Sequence, residues 1–371
     1  MAAEGALEGR LPQHPRILLA RLDSLGDCVL STGFLAGLRQ LFPTAHLTGV
    51  FSAATAALFE PCPLLDRVVA MPVRPGEARR ALLEPPYDLA ICPRWDVDCW
   101  STRQLALWSG APIRVGFDRG PYRYDEPIDG WCGAYFTDLV RTRGDRHEVL
   151  KSQDLLHFLG ASGTVPAPRL WLPAAERAGA AEFLRRHGIG RFAVLAVAAQ
   201  WPNRIWPVEN FLPVIDALYA EQGLRAVIIG AEDAAASGEW LRAKRPDAVV
   251  CATGSLTLLA TAALIARAEL YVGMDTGPMH LAAASGVPVV AISCHPQTGR
   301  REHPNSPARF GPYATRHRVL QPARAATPCV EYCSRFDAPH CITGVTHSAV
   351  IAAARDLLAQ AAPAATRQAL G

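Results

Sequence analysis

The ten residues from 271 to 280 combine the residue types that a phosphate-binding helix start requires. They read Y-V-G-M-D-T-G-P-M-H. Strand formers come first, a glycine allows the turn, and Asp275 and Thr276 are types that commonly precede a helix. Pro278 suits the first helical position. Backbone N–H groups at a helix start are unpaired and carry partial positive charge, so this segment predicts an anion site at the end of a buried strand.

His280 lies one turn into this predicted helix. A histidine there either contacts a ligand or is a partly buried side chain with internal partners. The local sequence leaves both alternatives open.

A second chemistry-bearing position is Asp27, within R-I-L-L-A-R-L-D-S-L-G-D-C-V-L at residues 16–30. It lies where a strand and turn give way to a helical pattern. Aspartate there is either a helix N-cap or a general base that accepts a proton from a substrate hydroxyl. An aspartate in water is a weak base, so the catalytic role requires burial or a neighbouring carboxylate to strengthen it.

Two more turns follow predicted strands. Arg204, in Q-W-P-N-R-I-W-P at residues 200–207, could donate a forked pair of hydrogen bonds to a diphosphate. Glu232, in I-I-G-A-E-D at residues 228–233, could accept a hydrogen bond from a ribose hydroxyl. It could equally interact with the positive charge of a helix start.

Arg94, Trp95 and Asp96 directly follow the apolar run 87–92. Charged groups beside an indole suit a sugar acceptor site. They equally suit a solvated loop with one packed tryptophan, and the sequence does not separate the two.

The cysteines offer only a weak metal candidate. Four of the ten could form a cluster beside His340: Cys294, Cys329, Cys333 and Cys341. Structural zinc sites usually have tighter paired spacing than Cys-x3-Cys-x7-Cys, which favours free thiols or packing and no bound metal.

Composition excludes several classes. A chain of 371 residues with 50% hydrophobic and 19% charged residues is too long for one core and too apolar for a disordered protein. A net charge of +3 gives no dense basic face for nucleic acid. Residues 1–15 have no apolar core, and no 18-residue apolar run occurs elsewhere, so we expect a cytoplasmic protein.

Short apolar runs alternate with helical patterns through both halves, which predicts an α/β protein with two doubly wound parallel sheets. We expect an N-terminal domain over residues 1–165, a linker over 161–173, a C-terminal domain over 174–345, and a final helix over 346–371 that could pack back on the N-terminal domain. Predicted strands lie at 16–22, 46–51, 68–71, 87–92, 192–197, 226–229, 248–251, 270–272 and 287–292. Predicted helices include 27–41, 53–59, 148–159, 174–187 and 348–361, and residues 116–133 are expected to form an edge loop. The first strand of neither domain is followed by G-x-G-x-x-G, which argues against a dinucleotide-dependent oxidoreductase.

Taken together, the four strand-end segments resemble glycosyltransferase family 9, the heptosyltransferases of the bacterial lipopolysaccharide inner core. The resemblance covers residues 16–358. Its most specific parts are R-L-D-S-L-G-D at 21–27, R-I-W-P at 204–207, G-A-E at 230–232, and D-T-G-P-M-H-L-A-A-A-S-G-V-P at 275–288.

This resemblance implies a GT-B architecture, with the nucleotide-sugar donor on the C-terminal domain and the acceptor on the N-terminal one. Asp27 would be the catalytic base, Arg204 would bind the donor phosphates, and Glu232 would contact the ribose. Four residues would frame the diphosphate and the transferred sugar: Asp275, Thr276, Gly277 and His280. The implied reaction is inverting, metal-independent and without a cofactor.

The resemblance also implies the partners. The donor would be ADP-heptose and the acceptor a lipid-linked glycan of the lipopolysaccharide core, with peripheral contact at the inner membrane and no nucleic acid. A protein-modifying heptosyltransferase and a non-catalytic nucleotide-sugar-binding protein are the alternatives. Two segments depart from the family pattern: Ala198-Ala199-Gln200-Trp201, and the His- and Arg-rich segment 295–312, which could shape donor specificity.

Overall fold

The computed structural model describes residues 7, 9–72, 83–84, 86–96, 101–118 and 132–360. The chain divides into two compact units, residues 1–171 and 172–371. The division falls near the end of the Gly- and Pro-bearing segment 161–173, within the range expected to be a linker.

In its described part, the first unit contains a six-stranded parallel sheet with helices between the strands. Its strands are β1 Arg16–Arg21, β2 His46–Ser52, β3 Arg67–Met71, β4 Leu89–Cys92, β5 Ile113–Phe117 and β6 Asp138–Val140. Its helices are α1 Leu25–Leu30, α2 Thr32–Leu41, α3 Thr102–Trp108, α4 Cys132–Tyr135 and α5 Glu148–Phe158. The strand order is β3-β2-β1-β4-β5-β6.

The second unit repeats this plan within the residues described. Its strands are β7 Phe192–Ala196, β8 Arg225–Ile229, β9 Val249–Cys251, β10 Leu270–Met274, β11 Val289–Ile292 and β12 His317–Leu320. Its helices are α6 Ala174–Arg186, α7 Phe211–Gln222, α8 Ala235–Lys244, α9 Leu258–Ile265, α10 Gly277–Ala284, α11 Pro307–Phe310 and α12 His347–Ala359. The strand order is β12-β11-β10-β7-β8-β9. Counted from the β9 edge of the sheet, it matches the order of the first unit strand for strand. The α/β class with doubly wound sheets is therefore confirmed.

The strand order indicates where a ligand is expected to bind. Each sheet reverses its winding between two central strands, β1 and β4 in the first unit and β7 and β10 in the second. In doubly wound sheets the crevice at the carboxyl ends of such a pair is the usual ligand site. The candidate catalytic, donor and acceptor residues follow these four strands, apart from Glu232, which follows β8.

The central strands are apolar because both of their faces are covered. All four residues of β4 and all five of β10 are buried. Gly273 is required where β10 pairs with β7, because a Cβ on it would lie 2.8 Å from the Ala196 carbonyl oxygen.

Several predicted elements differ in detail. The helix predicted over 27–41 is two helices that meet at Ser31, whose hydroxyl donates to the Asp27 carbonyl oxygen at 2.9 Å and competes with the helical pattern. The helix predicted over 53–59 is only a 3₁₀ turn, Ala56–Leu58. The predicted edge loop 116–133 begins inside β5, and its residues 119–131 lie outside the described part of the chain.

The final helix packs within its own unit. Helix α12 buries Val350, Ala353, Ala354 and Leu357, and it packs on α7 and on strands β10 to β12. Its predicted packing on the N-terminal domain stays a prediction, and residues 361–371 lie outside the described ranges. None of the described helices combines the length and the apolar character needed to cross a bilayer.

Candidate functional site

Asp27 lies in the first turn of α1, and the N-cap residue of this helix is Ser24. The N-cap alternative for Asp27 is therefore wrong. One carboxylate oxygen, Oδ1, accepts a hydrogen bond from Arg21 Nη2 at 3.0 Å, and Oδ2 accepts one from Ser24 Oγ at 2.6 Å. The Asp27 side chain is 18% exposed, so the carboxylate is held in place and still meets solvent.

Arg21 and Asp23 continue this network into the interior, and the sequence reasoning missed both. Arg21 Nε lies 2.8 Å from Asp23 Oδ2, and Arg21 Nη1 donates to the Pro93 carbonyl oxygen. Asp23 also pairs with Arg94. Buried charges are costly unless they are paired, and here positive and negative groups alternate from Arg94 through Asp23 and Arg21 to Asp27. The strand-end sequence R-L-D-S-L-G-D contains the signal, because it has three charged residues where an apolar strand ends.

Arg94, in the segment after β4, belongs to this network of ion pairs, whereas Trp95 has different neighbours. Trp95 is buried, and Lys151 Nζ lies 3.6 Å from the centre of its ring. Lys151 in turn pairs with Glu148 at 2.6 Å. The Asp96 main-chain oxygen accepts a hydrogen bond from Arg103 at 3.2 Å. The indole is thus part of a packed interior with a cation against its ring.

In the second unit, the predicted turn between β10 and α10 is present. The Asp275 amide extends the sheet by donating to the Ile292 carbonyl oxygen at 3.1 Å. Thr276 is the N-cap residue, but its hydroxyl donates back to the Met274 carbonyl oxygen at 3.3 Å and does not cap the helix. Helix α10 begins at Gly277, so Pro278 occupies the second helical position, one later than predicted. This start has the polarity that attracts an anion.

Arg204 reaches this helix start from the turn after β7. Its guanidinium donates to the Asp275 carbonyl oxygen, and Nη2 lies 3.7 Å from Asp275 Oδ2. The Arg204 side chain is 24% exposed, against 7% for Asp275, so its charge remains available to a ligand. A cation and the positive end of a helix therefore lie at the same strand ends.

Three titratable side chains of this region are buried. His280 is 5% exposed on α10. Burial raises the pKa of the Tyr271 hydroxyl, which lies 3.5 Å from the Met274 carbonyl oxygen. Burial also raises the pKa of Cys294 to about 12, although Arg204 opposes this shift. The Cys294 thiol is therefore protonated at neutral pH.

Glu232 is exposed in the 3₁₀ turn Glu232–Ala234 that follows β8. The turn needs Gly230, which has a φ of +149° and whose added Cβ would lie 2.3 Å from the Ala234 Cβ. Strand β8 neighbours β7, so Glu232 and Arg204 follow adjacent strands of one sheet.

The cysteine cluster differs from the set expected. Cys329, Cys333 and Cys341 come together with His340, and their ligand atoms all lie within 4.8 Å of one another. Cys294 is outside this group, so His340 takes the fourth place. The three cysteines are buried.

The His- and Arg-rich segment 295–312 packs against the same loop. His295 stacks on His303 with ring centroids 5.3 Å apart, and His303 stacks on Tyr332 at 4.6 Å. Burial lowers the pKa of His295. This part of the segment therefore contributes packing, and any effect on donor specificity stays a prediction.

The sequence and the fold are similar to those of known proteins. The model of glycosyltransferase family 9 (heptosyltransferase) matches residues 79–340. Lipopolysaccharide heptosyltransferase 3 of Escherichia coli is 24% identical over 281 residues, which cover 72% of this chain and 80% of that protein.

Two solved structures share the fold over almost their whole length. A glycosyltransferase family 9 structure from Veillonella parvula has a TM-score of 0.74 and 22% identity, and covers 94% of this chain and 98% of its own. The structure of the ADP-heptose lipopolysaccharide heptosyltransferase II of E. coli has a TM-score of 0.70 and 20% identity, and covers 93% and 99%.

Proposed function

This chain belongs to glycosyltransferase family 9, and we propose that it transfers heptose from ADP-heptose to the lipopolysaccharide core with inversion at the anomeric carbon. That it is a glycosyltransferase of the GT-B fold follows from the family and from its two parallel-sheet units. The donor and acceptor are inferred from the names of its relatives.

The observation that carries the proposal is the contact between Arg204 and Asp275 at the start of α10. When a nucleotide sugar reacts, negative charge develops on the departing diphosphate. A planar guanidinium and a helix N-terminus are both suited to that charge, and neither requires a metal in the reaction. Thr276, Gly277 and His280 would contact the diphosphate or the sugar, and Glu232 would bind the ribose.

We assign proton removal to Asp27. Its carboxylate takes the proton of the acceptor hydroxyl as the hydroxyl oxygen attacks the anomeric carbon. The bond from that carbon to the diphosphate oxygen breaks, and the nucleoside diphosphate leaves with the electron pair. Arg21 and Ser24 fix the carboxylate in one orientation for this step. Arg94 acts on Asp27 through Asp23 and Arg21. The Arg94–Asp96 segment is also our candidate for contacts with the acceptor.

The acceptor would be lipid-linked. The enzyme would therefore act at the cytoplasmic face of the inner membrane, through peripheral contact with that membrane. The mild positive charge of +3 is compatible with an anionic lipid surface.

A donor and acceptor panel tests this proposal. Purified protein should bind ADP and ADP-heptose in calorimetric titration and transfer heptose to core lipid, with little transfer to polypeptide. Tight binding of a UDP- or GDP-sugar in place of the ADP-sugar would contradict the heptose assignment. Transfer to polypeptide alone would favour the protein-modifying alternative, and donor binding without any transfer would favour the non-catalytic one.

A further inference from the structure

A group of four metal-ligand side chains lies in the segment between β12 and α12, which contacts the turn that contains Arg204. His340 Nδ1 is 3.4 Å from Cys329 Sγ and 3.5 Å from Cys341 Sγ. With zinc–nitrogen and zinc–sulfur bonds of about 2.0 and 2.3 Å, neighbouring nitrogen and sulfur ligands in a tetrahedral site are about 3.5 Å apart, and neighbouring sulfurs about 3.8 Å. The two observed nitrogen–sulfur separations match those of a tetrahedral site. Cys333 supplies a fourth ligand atom, and all four ligand atoms lie within 4.8 Å of one another.

The histidine is oriented as a metal ligand would be. Its other ring nitrogen, Nε2, lies 3.1 Å from the Thr327 carbonyl oxygen, so Nε2–H donates there. This leaves the lone pair of Nδ1 directed at the sulfurs. A backbone carbonyl that fixes the tautomer of a coordinating histidine is the usual arrangement in metal proteins.

The sulfurs are buried, and one already accepts a main-chain donor. Cys329, Cys333 and Cys341 are 7%, 1% and 1% exposed. The Ser334 amide donates to Cys329 Sγ at 3.3 Å. Amide donors of this kind satisfy part of the charge of a metal-bound thiolate.

The chain around these four residues has little regular structure. Residues 321–346 contain only the 3₁₀ turn Cys341–Gly344 as regular structure. Loops of this length without secondary structure of their own are uncommon in compact domains. All four ligands lie between residues 329 and 341, so one ion would cross-link the central part of this loop.

The same loop supports the donor side. Asn203, next to Arg204, is fully buried and donates to the Cys333 carbonyl oxygen at 3.4 Å. Trp206 Nε1 donates to the Val345 carbonyl oxygen at 2.9 Å. Both anchors of the Arg204 turn are thus backbone groups of the cysteine-bearing loop.

We propose that Cys329, Cys333, His340 and Cys341 bind one zinc ion that holds this loop, and through it the Arg204 turn, in place. Three thiolates with one imidazole form a closed structural zinc set. All four positions are filled by protein ligands, so the ion is structural and takes no part in sugar transfer.

Metal analysis of the full-length, tag-free protein tests the proposal. We expect about one zinc per chain by inductively coupled plasma mass spectrometry, and loss of most of it in Cys333→Ser and in His340→Ala. Cys251→Ser is the matched control, because Cys251 is a free cysteine of the same unit outside the cluster, and it should retain the zinc. Replacement of zinc by cobalt should give thiolate-to-cobalt charge-transfer bands and the intense visible bands of tetrahedral coordination.

A measurement on the unmodified chain covers the case in which the variants do not fold. Titration with a mercurial thiol reagent should release the zinc as the cluster cysteines react. Absence of metal, stoichiometric iron in place of zinc, full zinc retention in folded Cys333→Ser, or a disulfide among the cluster cysteines by mass spectrometry would each overturn the assignment. None of these outcomes depends on the identity of the sugar donor.

Discussion

At the residue scale, Asp27 has fixed neighbours on both carboxylate oxygens and a face that remains in contact with solvent. Arg21 is shared between Asp27, Asp23 and the Pro93 carbonyl oxygen, so it serves the whole network as well as the proposed base. The proposed role of Asp27 as proton acceptor can be tested by substitution with asparagine. Asparagine has the same shape as aspartate, so we expect the fold to be unchanged.

We expect Asp27→Asn to lower the rate of sugar transfer by about 10²- to 10⁴-fold, because an amide cannot accept the acceptor proton. Donor affinity in calorimetric titration should be unchanged, since Asp27 and the donor residues lie in different units. Asp216→Asn is the control. It removes an exposed carboxylate that pairs with Arg245, and such surface pairs contribute little. Unchanged turnover in Asp27→Asn would remove Asp27 from the mechanism.

The proposed role of Arg204 in phosphate binding can be tested by a substitution that keeps the positive charge but removes the planar guanidinium. Arg204→Lys retains a cation but loses planar, paired donation to a diphosphate. Hydrogen bonds to charged groups contribute about 1.5–3 kcal/mol, so we expect donor affinity to fall by about 10- to 100-fold. Arg245→Lys, at an exposed ion pair on the same unit, should leave donor affinity unchanged. Equal affinities in Arg204→Lys and the parent protein would show that the guanidinium does not bind the phosphates.

At the element scale, the close pairing of β7 with β10 places the Arg204 turn beside the start of α10. The pairing depends on Gly273. An added Cβ would lie 2.8 Å from the Ala196 carbonyl oxygen and 2.9 Å from the Ala196 Cβ, and neither backbone nor Cβ can move aside cheaply.

We therefore expect Gly273→Ala to destabilise the protein by about 1–3 kcal/mol, as overpacked cores do. Gly179→Ala is the matched comparison, because Gly179 lies within α6 and a Cβ there meets nothing within 4 Å. That change should be neutral or stabilise by about 0.5–1 kcal/mol, since alanine favours helix. Denaturant unfolding of both variants checks the pair. Equal stability of the two would mean that β7 and β10 can separate without cost.

The central strands could be predicted from the sequence because they are covered on both faces and read as continuous apolar runs. Strands β5, β6 and β12 were not predicted. They are short and include polar residues, as in I-R-V-G-F and H-R-V-L, so no continuous apolar run marks them. The predicted helix over 53–59 fails for a related reason, since its apolar residues fit one 3₁₀ turn as well as two helical turns.

For the candidate site, local sequence could predict strand–turn–helix positions such as Asp27 and Asp275. It could not predict which side chains pair. Asp23 and Arg94 follow β1 and β4, which are far apart in the chain and adjacent only in the sheet. The cysteine spacing likewise favoured free thiols, and the sequence placed Cys294 in the possible cluster with His340 only beside it. The folded loop has His340 in place of Cys294.

At the scale of the whole molecule, two units with one strand order divide the proposed chemistry between them. The residues proposed for the donor all lie within 172–371, together with the partners that hold them. Arg204 contacts Asp275, Asn203 contacts Cys333, and Trp206 contacts Val345. The proposed base lies in the other unit, so donor binding and transfer should be separable by dividing the chain.

We expect the fragment 172–371 to fold and to bind ADP with an affinity within about tenfold of the full chain, a difference of about 1.4 kcal/mol. Its apolar core contains Leu195, Trp206, Ile228, Val272 and Leu357, all from the same unit, and a domain of this length can bury enough apolar surface to fold alone. The fragment should catalyse no transfer, because Asp27 is absent. Circular dichroism should show a cooperative thermal transition and calorimetry should show ADP binding that the fragment's Arg204→Ala variant loses. A fragment that unfolds cooperatively but does not bind ADP would place essential donor contacts in the first unit, and would contradict the assignment of the donor site to the strand ends of β7 and β10.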